Sequence, residues 1–268
     1  MLQTDLSPQG AGRQIIHSEY IDLMRKRALG ELPDMGCAIR MGEIIKELNG
    51  QKMIPRLLDV GCATGHYYRT FRGMNVPIKE YLGLEIDADM VKAAEAVWKQ
   101  EISEGKMRFV RDDIESSNPL ERSDILICMN SFMYYKSAKR VLAKFLNSAQ
   151  TILIRSYFAD SNFRIIRGQS AQNNDRVDID ELDLFSEAGD LVSADFWTIY
   201  GTTYIEKLVK SLNPRASVKW LADENKIDSI KKEANLGVVK RGGTQVVGGY
   251  EISYPLLQPW EILQITIN

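Results

Sequence analysis

This 268-residue chain contains only two histidines and three cysteines. His17 and His66 cannot supply a site of three or more histidines. Cys37, Cys62 and Cys128 show no CxxC spacing, so neither a zinc site nor a disulfide framework is expected. The cysteines read as buried thiols in a reducing compartment, and no metal is expected. No apolar run approaches the ~20 residues that a membrane span needs. The opening stretch "MLQTDLSPQGAGRQ" lacks the charged and apolar regions of a signal peptide. The expectation is a soluble cytoplasmic protein with no membrane partner. Positive charge is not in excess either: the formal net charge is −2 and the pI about 5.9. That balance argues against broad, charge-driven binding of nucleic acid, which needs a basic face.

Apolar runs rich in β-branched residues alternate with helical patterns, the order of a parallel sheet covered by helices. Strands are expected at Arg56 to Val60, Glu80 to Glu85, Met107 to Arg111, Ile125 to Met129 and Thr151 to Arg155. Helical spacing falls between them at His66 to Phe71, Ala88 to Glu101 and Lys136 to Ser148. Two helices between Ser18 and Leu48 precede the sheet. After a polar insertion over 156–201, with a short helix near Ile179 to Ala188, come a helix at Thr203 to Leu212 and a strand at Ser217 to Leu221. A helix at Lys226 to Ala234 and a strand at Glu261 to Thr266 follow. The fold class is therefore α/β: a doubly wound, mostly parallel seven-stranded sheet with helices on both faces and a lid insertion after the fifth strand. The segments are 1–50, N-terminal helices forming a cap; 51–155, a Rossmann-like core; 156–201, a substrate lid; and 202–268, completion of the sheet.

The stretch "LLDVGCATGHYY" joins a buried strand to a helix through two glycines. Gly61 and Gly65 can take positive φ and let a ligand approach the backbone. The helix that starts near His66 offers unpaired N–H groups to a polar ligand. Glu85 ends the next strand, about 20 residues on, where an acid can accept from both hydroxyls of a ribose. The two features together describe an adenosine-type site. The G-x-x-x-G spacing, with Asp59 two positions before Gly61, is not the G-x-G-x-x-G of a dinucleotide cradle and suits a cationic amino-acid moiety better than two phosphates.

Four blocks, "LLDVGCATG", "YLGLEID", "FVRDDIE" and "DILICMNSFMYY", occur in the order found in the class I S-adenosylmethionine-dependent methyltransferases, which the segment 56–155 resembles. The departure is Ala63, where many members carry glycine. The resemblance implies S-adenosyl-L-methionine as cofactor. It implies Asp59, Gly61, Cys62, Ala63 and Gly65 around the methionine moiety, Glu85 on the ribose and Ile86 against the adenine. Asp113, preferred over Asp112, and Ile114 would meet the adenine amino edge. Met129 and Asn130 would line the pocket below the sulfonium, and Tyr20 would close over the cofactor.

Methyl transfer from a sulfonium is an in-line displacement, so alignment and exclusion of water are the main demands on the protein. A hydroxyl acceptor also needs a base. Tyr134 and Tyr135 occupy positions where relatives carry substrate-facing or basic residues. A phenol of pKa near ~10 suits positioning better than proton abstraction. His66 reads as a helix-start residue, and no catalytic base is identified. In the insertion, acids between Asp175 and Asp195 outnumber Arg176 and read as a solvated surface, ahead of one that attracts a cationic acceptor. Arg164 and Arg167 are candidates for an anionic acceptor, and Phe196, Trp197 and Tyr200 for a sugar or flat ring. The expectation is an enzyme that methylates a small molecule, with O-methylation of a sugar or secondary metabolite ahead of N-methylation. An RNA methyltransferase and a non-catalytic regulatory protein that keeps the pocket are the alternatives.

Overall fold

The structure, a computed structural model, describes residues 11–50, 52–168, 194–223, 244–247, 250–253 and 260–267. Helices α1 (Ala11–Leu29) and α2 (Gly36–Asn49) lead in. In α2 the buried Cys37, Ala38, Met41, Ile44 and Ile45 recur at helical spacing, so one apolar stripe lies on the sheet, and Gly50 at φ 61 ends the helix. The first five strands are β1 (Ile54–Val60), β2 (Ile78–Glu85), β3 (Met107–Arg111), β4 (Ser123–Met129) and β5 (Ala149–Ala159). Between them run α3 (His66–Gly73), α4 (Ala88–Val97), α5 (Lys99–Ser103) and α6 (Ala138–Ser148). After β5 come β6 (Phe163–Gly168), β7 (Ala194–Gly201), α7 (Thr202–Leu212), β8 (Ala216–Ala222), β9 (Thr244–Val247), β10 (Tyr250–Ser253) and β11 (Trp260–Ile267).

Each of the seven expected strands lies within an observed one. They form a continuous path in the order β3-β2-β1-β4-β5-β11-β8, with β1 to β5 parallel and β11 antiparallel to both of its neighbours. The chain builds outward from β1 in both directions. The crevice at the carboxyl ends of β1 and β4 is therefore the topological switch point, where ligands of open α/β sheets bind. Leu57, Ile127 and Leu153 pack with α2, α3 and α4 on one face; Leu58, Leu126 and Ile152 pack with α6 and α7 on the other. Burial on both faces explains why these strands read as unbroken apolar runs.

Two expectations change. The helix expected over Ala88 to Glu101 breaks at Trp98 (φ −103, ψ 28), which leaves helical geometry between α4 and α5 and buries its indole. The insertion is also not all loop: β5 runs on to Ala159, β7 pairs with it in parallel at Phe158 and Ala159, and β6 pairs antiparallel with β7. These extra strands bring the sheet to nine. The β9–β10 hairpin is a separate sheet. The helices expected near Ile179 to Ala188 and at Lys226 to Ala234 lie outside the described residues.

Candidate functional site

At the switch point the chain leaves β1 and turns through Gly61 to Gly65 into α3. Gly61 (φ 74) and Gly65 (φ 70) take left-handed conformations, and Ala63 joins them at φ 49. Space also demands glycine: a Cβ on Gly61 would lie 2.6 Å from Ser131 Oγ, and one on Gly65 2.9 Å from the Phe109 ring. The Gly61 and Cys62 amides donate to Leu84 O at 2.8 and 3.2 Å and fasten the loop to β2. Cys62 points its sulfur into the core beside Gly83, where an added Cβ would sit 2.6 Å from it. Burial pushes its thiol well above the usual range. Cys62 therefore offers the pocket backbone rather than a nucleophile.

Asp59, just below this loop, is fully buried. Its Oδ2 accepts from Tyr81 Oη at 2.6 Å, while Oδ1 has no hydrogen-bond partner. Burial outweighs the tyrosine bond and raises the carboxyl to about 7. A half-satisfied buried acid at a ligand crevice fits a cationic group that supplies the missing donor. Glu85 at the end of β2 accepts from Ala63 N (3.0 Å), Ile86 N (2.9 Å) and Asp87 N (3.1 Å). A carboxylate has about four lone-pair sites. Three N–H groups leave Glu85 one site for a hydroxyl, so a ribose that engaged it through two would displace Ala63 N–H.

On the far side of Glu85, Ile86 is exposed and presents an apolar surface. The turn after β3 is tied to β2 by Asp112 N donating to Glu85 O at 3.1 Å. Asp112 is held by Asn118 Nδ2 and Asp113 N, whereas Asp113 Oδ1 accepts from Glu115 N at 2.8 Å. Ile114 buries its side chain in the core. The Glu115 carboxylate receives Lys136 N and Ser137 N at 2.8 Å each, joining this turn to the start of α6.

The structure separates the two tyrosines that end the fourth motif. Tyr134 is exposed at 56% and lies close enough to Tyr20 and Tyr157 to affect their ionisation. Tyr135 turns inward: its hydroxyl donates to Ser131 Oγ at 3.1 Å and lies 3.5 Å from where a Gly61 Cβ would be. Burial pushes that phenol well up, so it stays protonated at neutral pH. Met129 is buried at the end of β4, and Asn130 follows it at φ 60. Asn130 Nδ2 donates to Tyr67 Oη at 2.8 Å, and its Oδ1 accepts from Arg155 Nη1.

Helix α1 covers the glycine loop. Ile21 and Met24 pack on Ala63 and Met90, and Thr64 Oγ1 donates to Met24 O at 2.7 Å. Tyr20 lies on this helix, about half exposed, where partial burial and the nearby Glu85 charge both raise its phenol. His66 lines a small cavity with Arg27, Asp34 and Thr70, both ring nitrogens lack partners, and burial lowers it to about 3. Arg164 is engaged by Thr198 Oγ1 at 3.0 Å and Lys136 O at 3.2 Å. The aromatic residues of β7 do not share a face. Trp197 packs beside Tyr157, Trp260 and Met133, while Tyr200 packs on Phe132 on the opposite side, as strand alternation requires.

Sequence reading did not single out Tyr67, Trp98, Ser131, Arg155 or Asp223 as parts of this region. Tyr67 and Ser131 lie inside the quoted motifs, and an arginine closing the apolar run "TILIR" is a readable anomaly. Trp98 and Asp223 carry no such signal. Among the described residues no cluster of three or more His, Cys, Asp or Glu could hold a metal, and no helix is long and apolar enough to cross a membrane.

Residues 57–153 match the methyltransferase domain family. No curated protein matches the chain. Among solved structures, an S-adenosylmethionine-dependent methyltransferase from Clostridium acetobutylicum superposes with a TM-score of 0.52 at 12% identity, over 94% of this chain and 99% of that one. YcgJ from Bacillus subtilis gives a TM-score of 0.50 at 13% identity, over 85% and 98%. The N-terminal domain of EvdMO1, crystallised in the presence of S-adenosylhomocysteine and D-fucose, gives 0.53 at 12%, over 88% and 84%. At these identities the likeness is one of fold. Residues 57–153 thus match a methyltransferase-domain family model, and the chain shares its fold with these solved structures.

Proposed function

We propose that this protein binds S-adenosyl-L-methionine at the switch-point crevice and methylates a small-molecule acceptor, a hydroxyl of a sugar or secondary metabolite in the first reading. The observation that carries the proposal is the buried, unpartnered Asp59 Oδ1 beneath the left-handed Gly61–Gly65 turn. It is an anionic half-site without its donor. In this reading Asp59 and the backbone of Gly61, Cys62, Ala63 and Gly65 receive the methionine moiety. Glu85 holds the ribose, Ile86 covers the adenine, and Asp113 with Ile114 meets its amino edge. Met129 and Asn130 line the methyl side, Tyr20 covers the mouth, and Tyr134 and Tyr135 border the acceptor side.

When bound, the cofactor supplies a methyl group already activated by its sulfonium. The protein aligns the acceptor and keeps water out, with α1 over the glycine loop and the β6–β7 pair on the acceptor side. A second reading, N-methylation, is favoured by one observation: burial raises the phenols of Tyr20, Tyr135 and Tyr157, so none of them draws a proton from an acceptor at neutral pH. An amine that is neutral when it attacks needs no such base. An acceptor smaller than RNA is consistent with the acidic balance of the chain.

Titration calorimetry with S-adenosylhomocysteine, S-adenosylmethionine and NAD tests the cofactor, with the first two binding and NAD silent. Turnover against a panel of hydroxyl and amine acceptors tests the chemistry. Binding of S-adenosylhomocysteine without turnover on any acceptor would instead support a regulatory role.

A further inference from the structure

We propose that Arg155 is a positioning residue: anchored by Asp223 and Trp260, it holds Asn130 and, through Asn130, Tyr67 in the geometry of the ligand crevice. This rests on the crevice being the cofactor and acceptor site proposed above. Arg155 lies near the end of β5, almost fully buried. Its Nε and Nη2 reach Asp223 Oδ2 at 2.8 and 2.6 Å, and its guanidinium carbon stands 3.9 Å from the centre of the Trp260 ring. Trp260 in turn packs on Tyr157, ring centres 4.2 Å apart. Asp223 follows β8 and Trp260 opens β11, so the arginine is clamped by elements on the far side of β5 from the glycine loop.

The remaining nitrogen, Nη1, donates to Asn130 Oδ1, and Arg155 O accepts from Asn130 N at 2.9 Å. Asn130 is held on three atoms, because Nδ2 donates to Tyr67 Oη at 2.8 Å. At φ 60 it takes a left-handed conformation, uncommon outside glycine although asparagine tolerates it better than most residues, and these three bonds fix it there. The backbone twist there turns the chain so that Ser131 Oγ reaches Val60 O at 3.2 Å and Tyr135 faces Gly61. A planar fork suits this junction. Lysine could keep the charge but cannot bond Asp223 and Asn130 in fixed directions. A buried arginine that only neutralised Asp223 would not need the third contact.

The test is a double-mutant cycle on the full chain. Asn130→Gly frees the backbone to take positive φ unaided and removes the side chain through which Arg155 acts. Each variant is measured for S-adenosylhomocysteine affinity by calorimetry and for hydrogen exchange across residues 130–135. Arg155→Lys is expected to speed exchange in that segment, with β1 and β2 unchanged, and to weaken binding about tenfold, the loss of one charged hydrogen bond. In the Asn130→Gly background the same change is expected to add little to either measurement. Additive losses, or unaltered exchange and affinity in folded Arg155→Lys, would overturn the proposal. If the unmodified chain bound no S-adenosylhomocysteine, the reading of the crevice would fall, and the exchange arm alone would decide the clamp.

Discussion

The indole N–H of Trp98 donates to the carbonyl of Thr64 at 2.8 Å, joining the residue that breaks the α4–α5 helix to the glycine loop. The bond is buried, and the ring also packs edge-on to Tyr68 at 5.4 Å. Trp98→Phe keeps most of the apolar contact and leaves a buried carbonyl without its donor. A stability loss of about 1–3 kcal/mol is expected from chemical denaturation. Weaker S-adenosylhomocysteine binding should accompany it, because Gly65 follows Thr64. An unchanged denaturation midpoint would show that the loop does not depend on the indole.

Glu85 fastens the loop whether or not a ligand is bound, since Ala63, Ile86 and Asp87 all donate to it. Glu85→Ala should weaken S-adenosylhomocysteine by about 1.5–3 kcal/mol, the value of hydrogen bonds to a charged group. Because three backbone donors lose their acceptor together, stability should fall too. Glu85→Gln keeps an acceptor and should separate the two effects, with stability partly restored and affinity still reduced. Calorimetry and thermal unfolding on both variants decide the point.

Asp59 stands near half-ionisation at neutral pH because burial raises its carboxyl to about 7. A cationic ligand group favours the carboxylate, so binding should expel a proton from the fraction that is protonated. Affinity for S-adenosylhomocysteine should therefore rise as pH increases through about 7 and level off above it. Calorimetry in buffers of different ionisation enthalpy should register the released proton at pH 6.5 and lose it in Asp59→Asn. PH-independent affinity would remove Asp59 from the ligand.

Two buried groups should oppose each other in the pH dependence of stability. His66 falls to about 3 from 6.5, so between those values the unfolded chain binds the extra proton and stability rises with pH. Asp59 rises to about 7 from 3.8, so the folded chain holds the extra proton and stability falls with pH. Between 3.8 and 6.5 the two slopes oppose. His66→Gln should unmask a decline in stability across this window, and Asp59→Asn a rise. Denaturation curves at several pH values for both variants check the signs; identical slopes would show that neither group carries the linkage.

Much of this protein was legible from local pattern. The apolar runs mark the strands because burial on both faces leaves no room for alternation. Gly61 and Gly65 sit where the chain must turn left-handed, and Glu85 falls at the end of the strand beside β1. These are short-range facts, each settled within a strand and its following turn. The strands of the insertion were not legible: "FRIIRG" and "ADFWTIYG" become β6 and β7 only by pairing with each other and with the extended end of β5. Nor was the facing of the aromatic residues. Tyr135 turns toward Gly61 because Asn130 twists the chain, and Trp197 and Tyr200 part because a strand alternates its side chains. The contacts that complete the crevice join residues far apart in the chain: Trp98 and Thr64 are 34 positions apart, Asn130 and Tyr67 are 63, and Arg155 and Asp223 are 68. No periodicity links such positions. The strand order, which sets β4 beside β1 and β11 between β5 and β8, brings them together, and burial then favours the pairing of their polar atoms, with Asp223 Oδ1 left over.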